Sequence, residues 1–407
     1  MRPVVTHPNR LVVVPSDSIA SIEAGGWGAN LKCYFNPAGV FGEVHVVSPL
    51  EPAECERWGL SIHPSDDARF ARDARRLRPD VIRAYGGYWP SDLVCHHRVR
   101  GVPIVVSVHD RRPEMIHESV AYADLVICVS QACARGVVAR GCAPSRIRVI
   151  PNRIDRRLFR PIEAAEIPRA LASRFPPGRH ILHVGRKSPE KNLDTLLRAL
   201  ALLPADYSVI AVGPGDAEVY ARLARDLKVE RRYFAIEAVP NDELPAWYSW
   251  CDCMCVPSRS EGFGIVFIEA VACGAVVVTS AVAPMTEYLT HDRSAVLVAA
   301  YEDPASLAAA LRSACEDTAL RARVGAGAIE AVAPFDSEKV ERMEADLYRE
   351  AMGLRRPDLA RRHEIRRWLA RLALDRLRVR VARGVATGRL SAGRVKRGLD
   401  RFFRKGR

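Results

Sequence analysis

Two glutamates eight residues apart, Glu261 and Glu269, belong to the run Ser258-Arg259-Ser260-Glu261-Gly262-Phe263-Gly264-Ile265-Val266-Phe267-Ile268-Glu269. Carboxylates accept hydrogen bonds from hydroxyls. Gly262 and Gly264 permit positive φ and close backbone approach, which leaves N–H groups of a following helix free to meet hydroxyl or phosphate oxygens. Earlier in the chain, Arg186 and Lys191 follow Gly185 and precede an amphipathic pattern through Leu193, Leu196, Leu197 and Leu200. Cations at a helix start are unfavourable unless an anion joins them, and a pair of phosphates is such an anion. Structural readings stand beside these: Glu261 as a helix cap, Glu269 as a solvated helix residue, and the two cations as a solvated set beside Glu190. Spacing alone leaves both sets open.

Apolar runs of strand length flank each of these groups. Cys251 to Pro257 and Ala275 to Thr279 enclose the glutamate run, which predicts strand, glycine turn, helix and strand, with Glu261 at a strand's carboxyl end, where open α/β sheets bind ligands. His180 to Val184 leads into Gly185, and Val209 to Val212 into Gly213-Pro214-Gly215. In the first half, Leu11–Val14, Val44–Val47, Val81–Tyr85, Ile104–Val108 and Leu125–Val129 read as buried strands, separated by helical patterns such as Phe70 to Leu77 and Gln131 to Arg140. Such alternation predicts parallel sheets covered on both faces. Leu11–Val14 is followed by Gly25-Gly26-Trp27-Gly28 and a helix from Ala29, and Ile104–Val108 by His109-Asp110. A histidine there is well placed for function, although such residues are more often structural imidazoles.

The order and content of these segments resemble the family 4 glycosyltransferases, which have the GT-B fold. Glu261-Gly262-Phe263-Gly264, then Glu269-Ala270-Val271-Ala272-Cys273-Gly274, is similar to the family's donor-site signature, and Gly185-Arg186 with Glu190-Lys191-Asn192 to the segment whose cations clamp a nucleotide diphosphate. Gly213 falls in a V-G-x-G loop placed near the nucleobase, Gly25 and Gly26 in the loop over the donor phosphates, and His109 in a V-x-x-H motif beside the donor sugar. Pro151-Asn152-Arg153-Ile154-Asp155 resembles the segment closing the first domain, with Arg153 in place of glycine, which puts the turn there in question. The resemblance covers roughly residues 10 to 350. It implies a retaining hexosyltransferase that uses a nucleotide-diphosphate sugar as co-substrate, with no bound cofactor and no protein nucleophile. Because Arg186, Lys191 and helix-start amides offer positive charge and no D-x-D-like carboxylate cluster sits beside the motif, catalysis is expected to be metal-independent. Glu261, His109, Arg186 and Lys191 would serve catalysis; Gly25, Gly26, Gly185, Gly213, Gly262, Phe263, Gly264 and Glu269 would join Glu261 and the two cations in binding the donor.

The expected architecture is α/β: two Rossmann-like domains facing across a cleft, residues 1–165 on the acceptor side and 166–334 holding the nucleotide sugar, with a crossover helix 335–353 bracing the first domain and a tail, 354–407. The 407 residues suffice for two cores. Eleven cysteines without C-x-x-C pairs fit a reducing cytoplasm, and alternating Cys251, Cys253 and Cys255 read as core before metal ligands. The absence of a long apolar run argues against a secretory signal or membrane span. Net charge is +13 for the chain, whereas residues 355–407 alone carry +15, so the body is near neutral. In the tail, Ile365, Trp368, Leu369, Leu372 and Val379 recur at helical spacing among Arg361, Arg362, Arg366, Arg367, Arg371, Arg376, Arg378 and Arg380. An amphipathic cationic helix suits an anionic membrane surface, which predicts peripheral attachment to the inner face of the cell membrane and a glycan or lipid-linked acceptor in cell-envelope assembly. The alternatives are a nucleotide-sugar epimerase of the same fold and a polyanion-binding protein acting through the tail; nucleic acid is disfavoured because the body lacks positive charge.

Overall fold

A computed structural model describes residues 9–24, 28, 31–354 and 359–386. Gly25 and Gly26 lie outside the described residues. The chain forms two units, Met1–Gly353 and Leu354–Arg407.

The first unit holds two sheets. β1 (Arg10–Val14), β2 (Glu43–Ser48), β3 (Cys55–Arg57), β4 (Leu60–Pro64), β5 (Val81–Tyr85), β6 (Ile104–Val108), β7 (Leu125–Cys128) and β8 (Ile147–Val149) make an eight-stranded sheet in the order β3-β4-β2-β1-β5-β6-β7-β8. All pairs are parallel except β3 with β4. That hairpin escapes the alternating apolar pattern because β3 is fully exposed, and its two-residue turn puts Trp58 and Gly59 at φ 55° and 72°.

β9 (Arg179–Val184), β10 (Tyr207–Val212), β11 (Tyr233–Ile236), β12 (Cys253–Val256), β13 (Val277–Ser280) and β14 (Val296–Val298) make a parallel sheet in the order β11-β10-β9-β12-β13-β14. Numbered within the sheet this is 3-2-1-4-5-6, the doubly wound order whose ligand crevice opens where the winding reverses, between β9 and β12. The loops after those two strands carry Gly185-Arg186 and Glu261. Cys253 and Cys255 are buried among Ile181, Leu196, Val278 and Leu311, so the alternating cysteines are core.

Helix Ser337–Gly353 follows the second sheet in sequence but completes the first sheet's core, where Val340, Leu347, Tyr348 and Ala351 pack with Leu11, Val13, Val81 and Ile127. Beneath that apolar seam lies a buried ionic knot. Arg83 on β5 donates to Ser107 on β6, to the Tyr348 hydroxyl at 2.7 Å and to Glu344 at 2.9 Å, with its guanidinium 4.2 Å from the Tyr85 ring centre. Arg153 donates to the other Glu344 oxygen at 2.7 Å. Burial alone would raise the Glu344 carboxyl, but Arg83 and Arg153 overcome it and hold the group below its usual range. Arg153 thus sits where the family pattern has glycine without adopting a positive φ; it fastens the returning helix.

The second unit is described as one helix, Leu359–Ala386. At 100° per residue Ile365, Trp368, Leu369 and Leu372 share a face, while Leu374 points away and is 44% exposed. The side chains of Arg361, Arg376, Arg378, Val379 and Arg380 lie outside the described residues. No helix among the described residues is long and apolar enough to cross a membrane.

Candidate active site

Gly185 leaves β9 at φ 149° and Gly213 leaves β10 at φ 135°; a side chain on Gly213 would overlap the Gly185 carbonyl. The two strand-end turns therefore lie against each other. Lys187, one of the cations that follow Gly185, turns away from the crevice: it is 3% exposed and donates to the carbonyls of Gly213 and Ile236. Burial pushes its ammonium below the ordinary lysine range.

The next turn, Pro189–Lys191, ends on Asn192 at φ 57° and starts helix Leu193–Leu202. Lys191 Nζ donates to Glu261 Oε1 at 2.6 Å, and Ser258 Oγ donates to the same oxygen at 2.7 Å. Glu261 is buried. Arg186 pairs with Glu190 at 3.0 Å and is 64% exposed. The sequence suggested two cations in want of an anion; each already has a carboxylate, one a buried partner and the other a solvated one.

The glycines of the signature do different work. Gly264, at φ 83°, caps helix Ile265–Ala272. Gly262 has no positive φ; it is glycine because any side chain would overlap the His109 carbonyl across the cleft. Phe263 is buried, stacked on Tyr288 at 5.0 Å between ring centres and edge-on to Phe335. Its ring belongs to an aromatic cluster, and its backbone is what faces the loop: Tyr288 donates to the Phe263 carbonyl at 2.6 Å.

His109 reaches the cleft from the end of β6, its ring parallel to Tyr85 at 6.4 Å. Burial, helped by the Arg83 charge, brings its imidazole down to about 4, and its buried Nε2 has no hydrogen-bond partner among the described residues. It is a neutral imidazole with one ring nitrogen left to bond. Asp110 is occupied by Arg112, which forks onto it at 2.6 and 3.0 Å.

Residues 173–331 match the family model described as glycosyl transferases group 1, and residues 33–158 match that of glycosyltransferase family 4. The D-inositol 3-phosphate glycosyltransferase 1 of Catenulispora acidiphila is 33% identical over 309 residues, 67% of this chain and 72% of that protein. The chain is a family 4 glycosyltransferase. A D-inositol 3-phosphate glycosyltransferase of Acidothermus cellulolyticus is 30% identical over 76% of each chain. Among solved structures, Anabaena HepE in complex with UDP-glucose superposes with a TM-score of 0.70 at 20% identity, over 84% of this chain and all of that one. Sucrose-phosphate synthase from Thermosynechococcus elongatus gives 0.69 at 20%, over 85% of this chain and all of that one. The fold is GT-B.

In this glycosyltransferase Glu269 sits one turn into helix Ile265–Ala272, 4% exposed, and Oε2 accepts the Tyr248 hydroxyl at 3.1 Å. Tyr248, on helix Leu244–Trp250, has its ring buried in the core, and its hydroxyl is the part that meets Glu269. Sequence reasoning also missed Ser130, Arg111 and Glu287, which join the two domains around the signature. A serine directly before the helical pattern Gln131 to Arg140 is a signal for a helix cap, but nothing in the sequence pairs Ser130 with Gly262, 132 positions away.

Burial pushes the Glu269 carboxyl up to about 7, against the Tyr248 hydrogen bond. The unfolded chain ionises this group near about 4.3, so between that pH and about 7 the folded protein keeps a proton that the unfolded chain releases, and stability falls as pH rises through the window. Glu269→Gln is therefore expected to stabilise the protein at pH 8, by roughly 3 kcal/mol at most, and far less at pH 5. Urea midpoints at the two pH values check this; equal shifts would show that ionisation is not what the site resists.

Proposed function

We propose that this enzyme moves a hexosyl group from a uridine diphosphate sugar to an acceptor hydroxyl, with the anomeric configuration retained and no metal ion required. The observation that carries the reading is the Lys191–Glu261 contact at the reversal point of the second sheet, where a cation, a carboxylate and the start of helix Ile265–Ala272 converge. Lys191 and Arg186 supply positive charge for the diphosphate, each trading its carboxylate partner for phosphate oxygens when donor binds. Glu261, with Oε1 fixed by Ser258, takes a sugar hydroxyl, as does His109 Nε2, and Glu269 takes ribose hydroxyls. The bond from the anomeric carbon to phosphate breaks as the bond to the acceptor oxygen forms on the same face, and the acceptor proton passes to the departing phosphate. The structural neighbour HepE, solved with UDP and with UDP-glucose, supports uridine as the base.

The test is release of UDP from UDP-sugars by the full chain, with and without EDTA, against a panel of acceptors. Release that survives EDTA is expected; loss restored by a divalent ion would overturn metal independence. A changed sugar formed without acceptor would instead favour an epimerase. Lys191→Met is expected to lower turnover about 10²- to 10³-fold, because leaving-group charge grows in the transition state. Arg186→Met, removing a solvated cation, should cost less. Wild-type turnover in the Lys191 variant would remove it from catalysis.

The cationic tail supports a lipid-linked glycan acceptor of cell-envelope assembly, presented at the cytoplasmic membrane face, where each Lys or Arg contributes about 1 kcal/mol of attraction. The name shared by the Catenulispora and Acidothermus relatives favours a second acceptor, a phosphorylated inositol. Flotation with anionic and neutral liposomes, using the full chain and one ending at Gly353, separates them. Binding of the full chain alone to anionic vesicles supports the first; no binding by either at moderate salt, with transfer to inositol phosphate, supports the second.

A further inference from the structure

The loop that carries Glu261 is held on both sides from the opposite domain. Arg111 Nη2, just past β6, donates to the Arg259 carbonyl at 3.3 Å, two residues before Glu261. Ser130 Oγ donates to the Gly262 carbonyl at 2.7 Å, one residue after it, and Cys133 Sγ lies 3.4 Å from that same oxygen. The helix behind these groups, Gln131–Ala139, is itself fastened to the second domain: Glu287 accepts from the Gln131 and Ala132 amides at 2.8 Å each, with Arg135 3.4 Å from the same carboxylate. A carboxylate across a helix N-terminus satisfies both orphan amides and the helix dipole.

Ser130 has two separable tasks. Its oxygen accepts the Cys133 amide at 3.1 Å, which is the ordinary work of a helix cap. Its proton goes to Gly262, and capping has no use for that bond. The second domain's own fixings on the loop include Ser258 and Lys191 on the Glu261 side chain, Tyr288 on the Phe263 and Gly264 carbonyls, and Glu190, Asp194 and Glu302 on the Arg259 amide and guanidinium; none of these takes the carbonyls of Arg259 and Gly262. When the domains part, the carbonyls of Arg259 and Gly262 lose their partners to water while those fixings remain.

We propose that Ser130 and Arg111 are positioning residues that couple the closed state of the cleft to the placement of Glu261, so that the donor site reaches its working geometry only when the first domain has docked. This rests on the glycosyl-transfer reading. It gives the enzyme a reason to hold an activated sugar unreacted until its acceptor side is in place, since an open cleft admits water but leaves Glu261 without its bracket.

The test uses the full chain and separates the proton of Ser130 from its cap. Ser130→Thr keeps both tasks; Ser130→Gly leaves a residue that a helix start tolerates at the cap but has no proton for Gly262. Ser130→Gly is expected to lower kcat about 10- to 100-fold with KM for the UDP-sugar changed much less, and with thermal midpoint near wild type. Ser130→Thr should keep most of the turnover. Arg111→Met, which adds no charge beside Glu287, should lower kcat about tenfold in the same pattern. Wild-type kcat in both Ser130→Gly and Arg111→Met, equal losses in the Thr and Gly variants, or a loss of kcat that follows the thermal midpoint would each overturn the assignment. Absence of turnover in the wild type with every UDP-sugar would instead overturn the function on which it rests.

Discussion

Gly262→Ala is expected to lower turnover at least about a hundredfold while the protein stays folded, because the added methyl group has nowhere to go. It would overlap the His109 carbonyl, and both partners are backbone, fixed in loops after strands of opposite sheets. Neither can rotate away as a flexible side chain would. The domains must separate or the loop must rotate by an ångström or so, and a displacement of that size at a reacting centre costs on the order of 10²-fold. The same movement pulls the Gly262 carbonyl from Ser130. Circular dichroism and a thermal midpoint, set beside kcat, read the two consequences separately. Turnover within a few-fold of wild type would mean that the contact between Gly262 and His109 has no part in the working state.

The second large effect falls on stability. Glu344→Leu leaves Arg83, 2% exposed, and the mostly buried Arg153 without the carboxylate they share. Removing one partner from a buried ionic group costs about 3–5 kcal/mol, since the remaining charge stays desolvated. Urea unfolding of the full chain should show that loss. Arg83→Met with Glu344→Leu should recover part of it, as replacing buried charges by apolar groups of similar size is frequently neutral. Strictly additive losses would mean that the residues do not act as one group.

Much of this molecule was legible because local chemistry announces it. Leu11–Val14 is a continuous apolar run, and Val81–Tyr85 and Ile104–Val108 are each interrupted by a single polar residue; only a strand buried on both faces needs so apolar a run. The glutamate signature was legible for a related reason: a glycine turn between apolar strands leaves few places for a carboxylate. What stayed hidden was pairing over distance. Arg83 and Glu344 are separated by 261 positions, and a lone arginine inside Val81–Tyr85 reads as a flaw in a strand until its carboxylate arrives from the far end of the chain. Gly262 was expected to permit positive φ and a close backbone approach; only the approach is found, and it is to another domain's carbonyl. Lys191 was expected to wait for phosphate, when Glu261 already held it. In each case residue type was right about the need and silent about who meets it.

Helix Ser337–Gly353 has a temporal consequence. Residues 10–165 leave the ribosome long before the segment that supplies Val340, Glu344, Leu347 and Tyr348 to their core. The sheet β9 to β14 completes its own core first, from residues wholly upstream of position 337. At 5–20 residues per second the first domain waits roughly 10 to 40 s with an apolar face open and Arg83 lacking its counterion. The half made first is therefore finished last, and that interval is when a chaperone or a protease has its best access to the chain.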